Sequence, residues 1–169
     1  MSADEAKRAI LQGLWEAIEL ERNGYQFYRA AADRIRDPDG VKMFTQLADD
    51  EVEHERILME RYKSVEATGE FPDTQIEVTG ETADRIFSDE FVERLTDAHF
   101  EMSALGIGMT LEHATMELYN KNAVEATSPE VGQFWQSLAT WEQGHYNVLK
   151  AEHDRLKQHY WTENRFWPF

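Results

Sequence analysis

The chain has 169 residues with 33 acidic against 17 basic side chains, and its formal charge of −16 opposes binding to nucleic acid or to an anionic membrane surface. With no cysteine it can form neither disulfides nor thiolate metal sites, so any transition metal must be held by carboxylate and imidazole. The length suits one domain over residues 1–169, large enough to bury a core without covalent staples.

From Ala3 to Arg36 a stripe of Ile10, Leu14, Ala17, Ile18, Tyr25, Tyr28 and Ala32 recurs at helical spacing and predicts a first long helix. The one acid on that stripe is Glu21. The stretch "RDPDG" then offers Asp37 as an N-cap and Pro38 at the first helical position, where its missing N–H is not needed. A second helix should run to about Ala67, with Phe44, Leu47, Ala48, Glu51, His54, Leu58 and Tyr62 on its apolar face. Residues 68–87 contain Gly69, Pro72 and Gly80 and read as a long connection, extended before a short helix from Thr82. Periodicity returns at Ser88 or Asp89 and ends before "TSPE". There Ser128 caps and Pro129 opens a fourth helix, which carries Phe134, Leu138, Trp141, Glu142, His145 and Leu149 and continues to about Tyr160.

The expected fold is all-α: a ferritin-like four-helix bundle with a long crossover between helices 2 and 3. Its helix pairs cover 3–67 and 88–160, ahead of an aromatic tail over 161–169. The acidic N-terminus lacks the basic start and apolar core of a signal peptide, and no run of about 18 apolar residues occurs, so the expectation is a soluble, cytoplasmic protein with no membrane partner.

Two Glu-x-x-His units stand out, Glu51 with His54 and Glu142 with His145. Singly they mean little, because 22 glutamates and six histidines generate about 0.8 such pairs by composition alone. An internal repeat changes their weight. A shift of 91 residues superposes Glu21 on Glu112, Tyr28 on Tyr119, Asp37-Pro38 on Ser128-Pro129, Leu47-Ala48 on Leu138-Ala139, Glu51 on Glu142, His54 on His145 and Leu58 on Leu149. One offset thus aligns apolar stripes, caps and the polar residues together.

Residues three apart share a helix face, so each unit can point a carboxylate and an imidazole at one ion, and Glu21 and Glu112 add a carboxylate from each remaining helix. One glutamate from two helices and Glu-x-x-His from the other two is the donor set of ferritin-like dimetal carboxylate proteins. Glu21, Glu51, His54, Glu112, Glu142 and His145 are therefore candidate metal ligands. Oxygen-rich coordination with imidazole suits iron or manganese, with two iron ions expected for redox work and manganese or a mixed pair as alternatives. The competing reading is a hydrogen-bonded polar core, but four buried carboxylates need compensation, which about four positive charges from two ions would supply. His113 lies about 100° around the helix from Glu112 and is expected to face outward, and His99, His153 and His159 lack a partner glutamate at the ligand spacing.

The stretches "AIELERNGYQFYRAAA", "LADDEVEHERIL", "GMTLEHATMELYNKNA" and "LATWEQGHYNVL" resemble the rubrerythrins, within the ferritin-like superfamily, over most of the chain. The resemblance implies the same six metal ligands, with Tyr28 and Tyr119 as hydrogen-bond donors to ligand carboxylates; ordinary core packing is the alternative for both rings. Two departures stand out. Typical rubrerythrins append a rubredoxin domain whose cysteines hold an electron-transfer iron, and this sequence has none. They also often carry a further glutamate three residues after the third-helix ligand, where this chain has Thr115.

The expected function is a diiron oxidoreductase that reduces hydrogen peroxide or dioxygen with electrons from an external electron-transfer protein. A ferritin-like ferroxidase or iron-storage role and a non-redox, metal-stabilised bundle are the alternatives. The tail "HYWTENRFWPF" is rich enough in aromatics to pack onto its own bundle or across a homodimer interface, and a homodimer is the expectation.

Overall fold

The computed structural model describes residues 2–72 and 99–163. Four helices account for most of them: α1 (Ala3–Ala32), α2 (Pro38–Thr68), α3 (His99–Glu125) and α4 (Pro129–Glu163). No strand occurs among the described residues.

Local chemistry fixes the helix ends. At α1 the Ser2 hydroxyl accepts from the Glu5 N–H while the Glu5 carboxylate accepts from the Ser2 N–H, a reciprocal capping box. Asp37 accepts from the amides of Asp39 and Gly40 at 3.0 and 3.2 Å, with Pro38 opening α2 behind it. Helix α2 stops at Gly69, whose φ of 76° is the left-handed conformation glycine adopts without strain, and whose N–H closes onto Val65 O at 2.9 Å. The Ser128 carbonyl accepts from the Gly132 N–H at 3.1 Å, which starts α4.

Helix α1 is shorter than its periodicity suggests, ending at Ala32 rather than Arg36. Asp37 must be extended to cap α2 and precedes a proline, which disfavours helix at that position, so the chain has to unwind beforehand. The amides of Arg34 and Ile35 both turn onto Ala31 O, and Ile35 is buried under the end of the bundle. Tyr25, expected on the inward stripe, is exposed. Helix α4 runs three residues past Tyr160, to Glu163. The expected short helix from Thr82, the start of the third helix near Ser88 and the tail beyond Glu163 lie outside the described residues.

The helices pack as two antiparallel hairpins, α1 with α2 and α3 with α4, and α1 lies against α3. Helix α3 runs antiparallel to α1, since Tyr28 reaches Glu112 while Tyr119 reaches Glu21. The end of α2 and the start of α3 therefore lie at opposite ends of the bundle, roughly 45 Å apart for a helix of 31 residues. These are the topological features of a ferritin-like bundle. No helix among the described residues is long and apolar enough to cross a membrane.

Two apolar clusters fill the interior. One gathers Tyr28, Ile35, Phe44, Leu105, Leu149 and Leu156; the other gathers Leu14, Ile18, Leu58, Tyr119, Phe134 and Leu138. A buried polar band separates them, and it is built from the glutamates and histidines singled out above.

Candidate metal centre

Each helix contributes to the band from its inward face. Glu21 comes from α1, Glu51 and His54 from α2, Glu112 from α3, and Glu142 and His145 from α4, and all six are buried. The i, i+3 spacing sets each histidine beside its own glutamate, with His145 Nδ1 3.1 Å from Glu142 Oε2 and His54 Nδ1 3.6 Å from Glu51 Oε2. Contacts across the bundle are as close. His54 Nδ1 lies 2.7 Å from Glu142 Oε1 and 3.2 Å from Glu21 Oε2, and His145 Nδ1 lies 3.7 Å from Glu112 Oε1. Both imidazoles thus turn Nδ1 toward the carboxylates, and their rings stack with centroids 5.5 Å apart.

The donors fall into two groups that can each hold an ion. Glu21, Glu51, His54 and Glu142 form one, and Glu51, Glu112, Glu142 and His145 form the other, with the donor atoms of each within 4.8 Å of one another. Glu51 and Glu142 belong to both. A carboxylate has two oxygens, so each of these can serve two ions at once, and Glu21 with His54 and Glu112 with His145 then complete one side each.

Electrostatics agree with a cation-shaped deficit. Burial, and then repulsion from Glu51 and Glu142, pushes the Glu21 carboxyl well above the ordinary range. Burial followed by Glu142 and Glu51 does the same to Glu112. Burial also opposes charge on Glu142, but His54 and His145 outweigh it and hold that carboxyl well below the usual value. Burial would strip the imidazoles of their protons, yet Glu142 and Glu21 pull His54 up, while Asp50 and Glu142 raise His145 to about 9. The buried carboxylates thus favour positive charge beside them, whether from a proton or from a cation. Among the described residues Glu142 Oε1, although close to His54, has no well-aligned hydrogen-bond donor, and an oxygen of that kind is satisfied by a cation. The donor set fits metal ions.

Two tyrosines close the band from above and below. The Tyr28 hydroxyl donates to Glu112 Oε1 and the Tyr119 hydroxyl to Glu21 Oε1, each serving the glutamate of the other half of the repeat. Three further residues were not legible as site residues in the sequence. Asp50 Oδ2 lies 3.3 Å from His145 Nε2, and Trp141 packs its ring 4.4 Å from that of His54. Gly24 seats the Glu51 carboxylate, because a Cβ there would come within 3.0 Å of Oε1. The only sequence signal for Asp50 and Trp141 is that each immediately precedes the glutamate of a Glu-x-x-His unit. Thr115 is buried with its hydroxyl donated to Leu111 O at 3.2 Å, and it is absent from both groups. The other histidines stand apart: His113 is exposed beside Glu117, His153 lies next to Asp154, His99 meets the ring of Tyr160, and His159 is half-buried on α4.

No curated protein matches the chain. Among solved structures, a hypothetical protein from Pyrococcus furiosus is similar, with a TM-score of 0.66 and 25% identity over 88% of this chain and 90% of that one. The rubrerythrin family matches residues 13–153, which takes in α2 and α3 whole, most of α1 and α4, and every residue of the two donor groups. The chain belongs to the rubrerythrin family.

Proposed function

We propose that the chain is a diiron oxidoreductase that reduces hydrogen peroxide, or dioxygen, with electrons from an external electron-transfer protein. The observation that carries this reading is the pair of four-donor groups sharing Glu51 and Glu142. Glu21, Glu51, His54, Glu112, Glu142 and His145 would hold the two ions, which when bound as ferrous iron supply one electron each for a two-electron reduction. The chain's own contribution is placement and charge. Four carboxylates balance about four positive charges, and the shared pair keeps the two donor groups adjacent. Tyr28 and Tyr119 hold Glu112 and Glu21 by hydrogen bonds, which fixes the carboxylate planes. The flanking apolar clusters keep bulk water from the band. An external donor is the fitting source of electrons, since these 169 residues contain no cysteine with which to hold an electron-transfer iron.

Stopped-flow mixing of the diferrous protein with peroxide and, separately, with air tests the assignment. Faster oxidation by peroxide is expected, and oxidation no faster than by oxygen would remove the peroxidase reading. One observation favours a second reading, ferroxidase action. Thr115 occupies the position of the family's further glutamate and spends its hydroxyl on its own helix. Under that reading iron accumulates beyond two per chain, which metal analysis after aerobic iron loading measures.

A further inference from the structure

The 91-residue repeat matches the six candidate ligands in pairs, but it does not match the residues behind the two imidazoles. Asp50 and Trp141 occupy equivalent positions, each one residue before the glutamate of its unit. In the bundle each crosses to the histidine of the opposite unit. Asp50 reaches His145 Nε2 at 3.3 Å, whereas Trp141 sets its ring against His54, whose Nε2 is fully buried with no hydrogen-bond partner among the described residues.

The difference matters because both rings present Nδ1 to the carboxylates. An imidazole that gives Nδ1 to a cation must carry its remaining proton on Nε2, and that N–H needs an acceptor. For His145 the acceptor is an anionic carboxylate, which fixes the tautomer, orients the ring and makes Nδ1 a stronger donor. For His54 no acceptor is in place among the described residues. Exposure points the same way: the Asp50 side chain is 26% accessible beside a His145 that is itself 8% accessible, while His54 is at 0%, so the His145 half lies nearer to solvent. The tyrosine bonds do not discriminate, since each half receives one.

We infer that the centre is built unequally, so that Glu51, Glu112, Glu142 and His145 take the first divalent cation and Glu21, Glu51, His54 and Glu142 the second. Asp50 acts as the positioning residue of the first site. The inference rests on the metal-centre reading above and assigns an order within it.

The test is anaerobic titration of the metal-free full chain with Co(II), followed by calorimetry and by the visible absorption of the bound ion. The wild type should bind in two resolved steps. Asp50→Ala should weaken the tighter step by roughly 10- to 100-fold and shift the other by much less. Asp50→Asn, which keeps an acceptor for the N–H but not the charge, should recover part of that loss. His145→Ala should remove the tighter step and His54→Ala the weaker one, which gives an independent readout should Asp50→Ala fold poorly. Two ions bound with equal affinity, or an Asp50→Ala protein with both steps lowered alike or both unchanged, would overturn the assigned order while leaving the metal centre standing. A wild type that binds no Co(II) would overturn both.

Discussion

Gly24 shows how much one missing methyl can decide at the site. Its Cα lies against Glu51, and an added Cβ would meet the carboxyl carbon at 3.1 Å and Oε1 at 3.0 Å, so the carboxylate would have to yield by a few tenths of an ångström. Alanine in a helix is otherwise favoured over glycine by up to about 1 kcal/mol. Gly24→Ala should therefore leave the melting temperature of the metal-free chain unchanged or raised, while the further rise on adding metal shrinks. A melting series with and without Mn(II) measures both quantities. An undiminished metal-induced rise would show that Glu51 has room to spare. Tyr28 offers a second handle. Tyr28→Phe removes the only hydroxyl donated to Glu112 Oε1 among the described residues and leaves a buried acceptor bare, which should destabilise the chain by about 1–3 kcal/mol in urea unfolding.

At the scale of the element, the helices owe their ends to a few side chains and their faces to periodicity. Asp37 satisfies two orphan amides of α2, so Asp37→Ala should lower stability by about 0.5–2 kcal/mol, read as an earlier urea midpoint with an unchanged slope. The consequence extends beyond the cap. Helix α2 carries Glu51, His54 and Asp50, so its register against α1 and α4 places one glutamate of the shared pair. The same cap position in the second half belongs to Ser128, whose hydroxyl accepts from Val131 at 3.4 Å. The two halves therefore start their Glu-x-x-His helices in the same way, with different capping side chains.

For the whole molecule, the buried band opposes folding unless its charge is balanced, and protons and metal ions balance it with opposite responses to pH. His145 holds its proton to about pH 9 in the folded chain against about 6.5 when unfolded, so the folded state binds more protons over that interval. Stability from this group is full below pH 6.5 and is lost as pH rises to 9. His54, raised by Glu142 and Glu21, acts with the same sign. The metal-free protein should thus melt at progressively lower temperature between pH 6.5 and 9. Metal ligation requires the deprotonated donors, so the stabilisation gained on adding metal should grow over the same interval. Calorimetric scans at several pH values, with chelator and with Mn(II), should show the two trends diverging. Parallel trends would indicate that metal does not replace these protons.

Sequence alone determined the helical segments, the N-caps Asp37 and Ser128 and the identity of the six convergent residues, because i, i+3 and i, i+4 neighbours follow from helical geometry whatever the tertiary fold. The repeat then related two helix pairs without saying how they face each other. That relation came only from packing. Crossing and register, acting between residues 33 to 98 positions apart, decided that Tyr28 serves Glu112 and Tyr119 serves Glu21, that Glu51 and Glu142 are the shared carboxylates, and that Asp50 lies behind His145 and not His54. The shortened α1 is by contrast a local effect: its periodicity continues past Ala32, but the chain must unwind there because Asp37 is extended as the cap of the next helix and precedes Pro38. A linear pattern specifies which faces are buried, whereas contacts between faces depend on inter-helix distances, and those are set by the side chains of all four helices together.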